Sequence, residues 1–145
     1  MTSHTNEAII ERAMNEVFNT GMLAAIDQVV APDVCVHYPQ ADEPLCGREQ
    51  VKHIFSCTRA VFPDAYFITE ETITTGDHVV TRWTGRATHS GIFWGIPPTG
   101  RQILWTGATI YRFVAGKIVE IWMYADALDV LQQLGSTSIP VRSNR

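Results

Sequence analysis

The sequence lacks several features that nucleic-acid binding, metal binding or nucleotide chemistry would require. Its 145 residues carry 11 Lys and Arg against 15 Asp and Glu, a formal net charge of -4, so no basic stripe is available for a phosphate backbone. No HxH, HExxH or clustered Cys/His spacing occurs, and neither does GxGxxG, a Walker lysine or a GxSxG elbow. We therefore expect no nucleic-acid partner, no metal, no nucleotide cofactor and no serine nucleophile.

Cysteines and long apolar runs are also scarce. The three cysteines Cys35, Cys46 and Cys57 form no CxxC pair, and their odd number cannot make a closed disulfide framework. We expect small buried or half-buried thiols in a reducing compartment. No apolar run approaches the ~20 residues that span a bilayer. The N-terminal stretch MTSHTNEAII lacks the basic region and apolar core of a secretory signal. We expect a cytoplasmic protein without a membrane partner.

The apolar residues that are present follow helical spacing in four segments. This spacing predicts three N-terminal helices and one C-terminal helix, over residues 7–18, 22–30, 48–62 and 127–134. Between the second and third helices, VCVHYP (residues 34–39) predicts a short strand, and the polar stretch to Gly47 predicts a loop.

From Ala65 onward the pattern changes to alternation, which is typical of strands. The predicted strands are AYFITEETIT, HVVTRWTGRATH, QILWTGATIYRFV and KIVEIWMYA, with turns at Gly76 and Gly116. Helices followed by a meander predict an α+β fold in which the helices pack on one face of a curved antiparallel sheet. We expect one domain over residues 1–135 and a flexible tail over residues 136–145.

The two faces of the predicted strands differ in character. One phase carries Trp83, Trp105, Thr109, Tyr111, Ile121 and Met123, and the other carries Arg82, Arg86, Arg112 and Glu120. The charged phase should lie away from the core, toward solvent or a partner subunit. Together with Trp122, it suggests a homodimer formed through the outer side of the sheet.

Several segments together resemble one known family. They are FNTG (residues 18–21), GREQVKHIF, VFPD, and the long run THSGIFWGIPPTGRQILWTGATIYRFVAGKIVEIWMYADALDVLQQLG. They resemble the SnoaL-like polyketide cyclase family of the nuclear-transport-factor-2-like superfold. The resemblance implies a cone-shaped sheet with an apolar central pocket. It places the loop GIFWGIPPTG (residues 91–100) at the pocket rim, where its prolines lower the entropy lost when the loop becomes ordered. Alternatively, the loop packs Phe93 and Trp94 onto a neighbouring strand or subunit.

The resemblance also implies which residues to examine for chemistry. The resemblance implies that the founding cyclases of this family close rings by intramolecular aldol reactions, with an aspartate acid/base and a histidine on the neighbouring strand. Those positions are Met123 and Thr109 in this chain. A thioether cannot exchange a proton, and a threonine hydroxyl is a poor base. Either other groups take over, or the ring closure depends on shape, as in the cycloaddition of a folded polyene.

Four polar side chains are the candidate catalytic groups. Asp126 ends the last strand, although its place before a helix favours an N-cap over a catalytic role. His89 precedes the rim loop, where it could reach a ligand or bond to a turn carbonyl. Tyr111 could donate a hydrogen bond to a developing oxyanion. The side on which His37 lies depends on the register of the first strand.

The substrate is expected to contact side chains that share the inward strand phase or lie near the rim. These are Phe18, Tyr38, Trp83, Trp94, Trp105, Thr109, Ile121 and Met123. We therefore predict a cofactor-free cyclase or isomerase acting on an apolar, polyketide-like intermediate. The alternatives are a non-catalytic small-molecule binding domain and an epoxide-opening hydrolase or hydroxylase on the same scaffold.

Overall fold

The computed structural model describes residues 3–136 and the side chains of residues 5–136. The helices are α1 (Ser3–Ala13), α2 (Ile26–Val29), α3 (Arg48–Val61) and α4 (Ala127–Gln133). The strands are β1 (Val30–His37), β2 (Leu45–Cys46), β3 (Tyr66–Thr75), β4 (His78–Thr88), β5 (Gln102–Val114) and β6 (Lys117–Ala125). The expected tail lies, apart from Ser136, outside the described residues.

The first predicted helix is present, but its geometry changes along its length. α1 continues as a π-helical segment, Met14–Asn19, and a short 3₁₀ turn, Leu23–Ala25, leads into α2. Met14 and Val17 are buried in the π-helical segment. The apolar spacing therefore identified the buried face of this region, although it could not show the change in hydrogen-bonding pattern.

The six strands form one curved, unclosed sheet in the order β2-β1-β6-β5-β4-β3. The α+β prediction with helices on a curved sheet is confirmed. The sheet is not wholly antiparallel as expected, because β1 pairs with β6 in parallel. This pairing became possible because most of the chain lies between the two strands, which provides the long connection that parallel neighbours need.

The expectation of buried or half-buried thiols is wrong for all three cysteines. Cys35 and Cys46 are Cα partners in the β1–β2 pairing and form a disulfide. Only Cys57 is a free thiol, and it is exposed. The sequence suggested a loop up to Gly47, so it did not show that Cys46 lies in a strand opposite Cys35. The cysteine count therefore no longer indicates a reducing compartment, and the cytoplasmic location stays a prediction.

Two apolar clusters pack on the concave face of the sheet. The larger one joins α1, α2 and α3 to β1, β5 and β6, and includes Ile10, Val17, Ile26, Val34, Val51, Tyr111 and Ile118. The smaller one lies toward α4 and includes Phe62, Ala87, Ile103, Trp105, Val130 and Leu134. Within residues 3–136, no helix is long and apolar enough to cross a membrane.

Candidate functional site

A cavity of about 220 Å³ opens between the two apolar clusters. Every layer of the fold contributes side chains to it. From the helical side and the segments after β1 and α3 come Met14, Phe18, Tyr38, Gln40, Phe55, Thr58 and Phe62; from the sheet come Phe67, Trp83, Trp105, Thr109, Met123, Tyr124 and Ala125; and from the rim loop and α4 come Phe93, Trp94, Ala127 and Val130.

Three aromatic rings on neighbouring strands form one wall of the cavity. Phe67 contacts Trp83 and Trp105 edge-on, with ring centroids 5.4 and 5.5 Å apart. The two indoles are nearly perpendicular, with centroids 6.4 Å apart. Such T-shaped contacts are the geometry that aromatic quadrupoles favour. The wall is therefore a rigid apolar surface.

Two strand glycines make room for these rings. The register of β4 and β5 places Gly85 opposite Trp105 and Gly107 opposite Trp83. A Cβ atom on Gly107 would lie 2.3 Å from the Trp83 ring and 2.5 Å from the Tyr124 carbonyl oxygen. The sequence does contain a signal for this arrangement, because Trp-Thr-Gly occurs twice, at residues 83–85 and 105–107. Our sequence interpretation did not use it.

The rim loop covers part of the mouth of the cavity. Phe93 and Ile96 exchange two backbone hydrogen bonds of 3.0 and 2.9 Å around a tight turn. Trp94, at φ 46°, and Gly95, at φ 80°, form the turn. The Trp94 ring stacks on Phe93 at 4.9 Å, and both rings line the cavity. Phe93 also packs on Phe62, the residue after α3, so the loop is held against the helical side while it borders the cavity mouth.

His89 lies at the base of this loop and is fully buried. Its Nδ1 accepts a 3.2 Å hydrogen bond from the Thr99 backbone N–H, and the Thr99 hydroxyl lies 2.9 Å from the same nitrogen. Because a backbone N–H can only donate, Nδ1 carries no proton and Nε2 carries it. His89 is not among the cavity-lining residues. The candidate catalytic histidine is therefore placed where it anchors the loop.

Tyr111 and Ile121 face inward as expected, but they lie farther along the strands, beneath α1 and α2. They line a separate, smaller cavity of about 30 Å³. Burial raises the pKa of Tyr111 well above its usual range. Neither residue lines the 220 Å³ cavity, which corrects their expected placement at the substrate. The predicted inward orientation of both residues was correct, but their positions along the strands place them outside the 220 Å³ cavity.

Asp126 caps α4. Its carboxylate accepts a 3.0 Å hydrogen bond from the Asp129 backbone N–H, and the side chain is exposed. This is the N-cap that the sequence predicted as the alternative to a catalytic role. Its neighbours Ala125 and Ala127 line the cavity, but Asp126 does not.

His37 lies on the outer face of the sheet, away from the cavity. Its Nε2 lies 2.6 Å from Glu120 Oε2, and its ring stacks on Trp122 at 5.1 Å. Arg112 donates to the other Glu120 oxygen at 3.0 Å. Burial acts to raise the pKa of Glu120, but the bonds from His37 and Arg112 lower it overall. The register of β1 thus corrects the placement of His37 as a cavity residue.

The two positions that the family resemblance assigns to the acid/base pair do meet in the cavity. Thr109 and Met123 are Cα partners across β5 and β6, and both line the cavity. The Thr109 hydroxyl accepts a 3.0 Å hydrogen bond from the Trp83 indole N–H. Thr109 therefore fixes the orientation of one wall ring.

Six expected substrate contacts, besides Thr109 and Met123, had been assigned from sequence, and five of them line the cavity. They are Phe18, Tyr38, Trp83, Trp94 and Trp105. Sequence reasoning missed the contribution of α3 and the residue after it, Phe55, Thr58 and Phe62, although their spacing of three to four residues is helical. It also missed Phe67 on β3 and Val130 on α4.

The cavity lining is almost without ionisable groups. Among the described residues that line it, none carries a carboxylate, an imidazole, an amine or a guanidinium group, and the only titratable side chains are tyrosines. Burial raises the pKa of Tyr38 well above its usual range, and the nearby Cys57 raises it further. Within the part of the chain that the structure describes, no group of three or more His, Cys, Asp or Glu side chains could hold a metal.

Comparison with known proteins agrees with this architecture. The sequence profile of the SnoaL-like polyketide cyclase family matches residues 8–134. IdmH from Streptomyces antibioticus, described as a candidate polyketide cyclase, is 35% identical, with 90% of this chain and 99% of IdmH covered at a TM-score of 0.79. No curated protein matches the sequence significantly.

Two more distant structures are also similar. AclR from Streptomyces galilaeus, described as a candidate hydroxylase, is 27% identical, with 92% of this chain and 98% of AclR covered at a TM-score of 0.81. A protein from Jannaschia sp. CCS1, described as a candidate SnoaL-like polyketide cyclase, has a TM-score of 0.85 at 20% identity, over 93% of this chain and 94% of that one. At that identity the likeness concerns the fold alone.

Proposed function

Because the chain belongs to the SnoaL-like polyketide cyclase family, we propose that it closes a ring in an apolar, polyketide-like intermediate bound in this cavity. The observation that carries the proposal is the cavity lining, which is aromatic and almost without ionisable groups. A site of this kind suits a hydrocarbon-rich ligand, since burial of apolar surface contributes roughly 25 cal/mol per Å².

The proposed ring closure does not use a strong acid or base. At the positions of the family's acid/base pair stand Met123 and Thr109, and neither can exchange a proton efficiently near neutral pH. The Thr109 oxygen already accepts a hydrogen bond from Trp83. An aldol-type closure needs a base to remove a proton next to a carbonyl, so the lining favours another class of reaction.

A cycloaddition meets these conditions. In such a reaction carbon–carbon single bonds form at the expense of carbon–carbon double bonds, no proton is transferred, and every substrate atom remains in the product. The protein then contributes mainly by folding the substrate so that its reacting ends meet. Such an organised geometry can lower the activation barrier by several kcal/mol. The perpendicular indoles of Trp83 and Trp105 would provide the rigid surface against which the chain folds.

Two other functions remain as alternatives. A non-catalytic binding domain is favoured by the same shortage of acid/base groups and would hold its ligand without turnover. An epoxide-opening hydrolase or hydroxylase has the description of AclR in its favour. Among the described residues, however, no lining carboxylate is available to activate a water molecule, which counts against that chemistry.

The test is to delete the gene in the producing organism and compare small-molecule extracts by mass spectrometry. We expect accumulation of a compound isomeric with the normal product but with one ring fewer, and we expect the purified protein to convert that compound. Binding of the compound without conversion would favour the binding domain. An unchanged extract profile would refute the ring-closure proposal.

We also propose that two copies associate through the outer face of the sheet. An apolar row crosses that face, because Ile73 pairs with Val80, Val80 with Ile110, and Ile110 with Trp122. Ile73 is 53% exposed. A self-complementary row of this kind suits a two-fold interface, in which the same surface of each copy is buried.

A further inference from the structure

Three polar side chains that line the cavity, Tyr38, Gln40 and Tyr124, have no hydrogen-bond partner among the described residues, and Tyr38 is the least exposed of the three. The Thr58 hydroxyl donates to the Ile54 carbonyl at 3.0 Å, and the Trp83 N–H donates to Thr109. The Tyr38 hydroxyl, in contrast, has no hydrogen-bond partner among the described residues. Tyr38 follows directly after β1 and lines the cavity beside Met123. The Tyr38 oxygen is not among the fully buried atoms that lack a partner, so water can reach it in the empty cavity. A ligand that displaces this water must supply the acceptor in its place.

We propose that Tyr38 is a catalytic residue that donates a hydrogen bond to a carbonyl oxygen of the substrate, and that the substrate is therefore an apolar chain conjugated to a carbonyl group. This inference rests on the proposed ring closure in the same cavity and adds the substrate class and the group that activates it.

A carbonyl acceptor fits this site better than a hydroxyl. A carbonyl oxygen brings no proton, so its pairing with the phenol leaves no donor unsatisfied. A substrate hydroxyl would bring a second proton, and only one of the two protons could be used in the bond between the two oxygens. The apolar side chains that pack with Tyr38 against the larger cluster, among them Phe55 and Met123, offer no strong acceptor for the second.

Tyr38 acts here as a donor and does not release its proton. Its raised pKa keeps the phenol protonated across the physiological range. A hydrogen bond to a carbonyl withdraws electron density from the conjugated double bond, which makes that bond more reactive toward an electron-rich diene. No proton or electron leaves the phenol during such a step, and no co-reactant is needed.

The test uses two apolar probes, β-ionone, which is a dienone, and myrcene, which is a hydrocarbon triene without a carbonyl. Dissociation constants are measured by tryptophan fluorescence, since Trp83 and Trp105 line the cavity. Tyr38→Phe should weaken β-ionone binding roughly threefold to tenfold, the value of one hydrogen bond, and leave myrcene binding unchanged. The absorption band of β-ionone should shift to longer wavelength on the wild-type protein and not on Tyr38→Phe.

Tyr66→Phe is the matched control, because Tyr66 is an exposed tyrosine on the edge strand β3 and does not line the cavity. Myrcene binding by Tyr38→Phe shows that this variant is folded. If Tyr38→Phe binds β-ionone as the wild type does, with the same band shift, the Tyr38 inference is wrong and the apolar cavity stands. If the wild type binds neither probe, the proposed function fails and this inference fails with it.

Discussion

Single residues in this protein act mainly by holding aromatic rings in place, and Thr109 is the clearest case. Its hydroxyl is the acceptor of the Trp83 indole N–H at 3.0 Å, and Thr109 is 2% exposed. Thr109→Val preserves the shape of the side chain but leaves the indole N–H without that acceptor. We expect a loss of about 1–3 kcal/mol in the free energy of unfolding, measured by urea denaturation.

Thr106→Val is the control for this change, because Thr106 lies on the same strand but is exposed. It should alter the free energy of unfolding by less than about 0.5 kcal/mol. Equal losses in the two variants would contradict the role assigned to Thr109.

At the residue scale, the sequence predicted which side chains point inward better than it predicted what they touch. Alternation placed Trp105, Thr109 and Tyr111 on one face, and all three are buried there. Only the first two line the cavity, because Tyr111 lies under the helices. The placement of His37 depends on a different factor. The register of β1 against β6, a segment distant in sequence, decides which face of the sheet its side chain occupies. Periodicity carries no information about either distance along a strand or pairing register.

At the scale of secondary-structure elements, the reciprocal Gly–Trp pairs shape the β4–β5 ladder. Gly107 is the tighter site, since an added Cβ would clash with both the Trp83 ring and the Tyr124 carbonyl oxygen. Gly107→Ala should therefore lower the free energy of unfolding by about 1–3 kcal/mol, the usual cost of overpacking. It should also weaken myrcene binding, because the displaced Trp83 ring moves toward the cavity.

Urea denaturation and the myrcene titration check both effects in the same variant. Thr106→Ala, which changes the neighbouring exposed position, serves as the control and should leave both quantities near wild type. A stable Gly107→Ala variant with unchanged binding would show that the strands can separate enough to accept the methyl group.

A second contact between elements makes the stability depend on pH. Asp64, in the turn between α3 and β3, accepts hydrogen bonds of 2.7 Å from both the backbone N–H and the hydroxyl of Thr88 at the end of β4. Both hydrogen bonds lower the pKa of Asp64 below its usual range, and the bond from the backbone N–H contributes more than the bond from the hydroxyl. A lowered folded-state pKa stabilises the fold above the unfolded-state pKa of about 3.9, and this contribution is lost as the pH falls through the folded-state value.

Asp64→Asn isolates this contribution, because all other carboxylates are common to the two proteins. The difference in urea midpoint between wild type and Asp64→Asn should be full near pH 7. It should shrink as the pH falls below about 4. A difference that stays constant over this range would mean that the charge of Asp64 does not contribute.

The elements also show where sequence patterns are too short to interpret. The helical and strand periods were long enough to identify α1, α3 and the four strands β3 to β6. β2 has two residues, Leu45 and Cys46, and a pair of residues has no measurable period. The Cys35–Cys46 disulfide could not be predicted for the same reason, since it depends on the pairing of that short strand with β1.

At the scale of the whole molecule, the two faces of the sheet present different surfaces. The concave face holds the cavity, and the outer face holds the apolar row that contains Ile110 and Trp122. Charged residues flank this row, with Arg112 and Glu120 paired on one side and Arg82 on the other. An apolar strip with charged borders has the arrangement of a protein–protein interface, in which a polar rim surrounds an apolar centre.

The dimer proposal predicts that a charge placed in this strip prevents association. Ile110→Glu would bury a carboxylate against the same position in the second copy, where desolvation and like-charge repulsion both oppose contact. Size-exclusion chromatography with light scattering should give a dimeric mass for the wild type and a monomeric mass for Ile110→Glu.

The same substitution at Ile92, which is 68% exposed in the rim loop, is the matched control and should leave the dimer intact. A monomeric wild type, or a dimeric Ile110→Glu variant, would refute association through this face. Because the cavity opens on the other side of the sheet, myrcene should still bind to a monomeric Ile110→Glu variant.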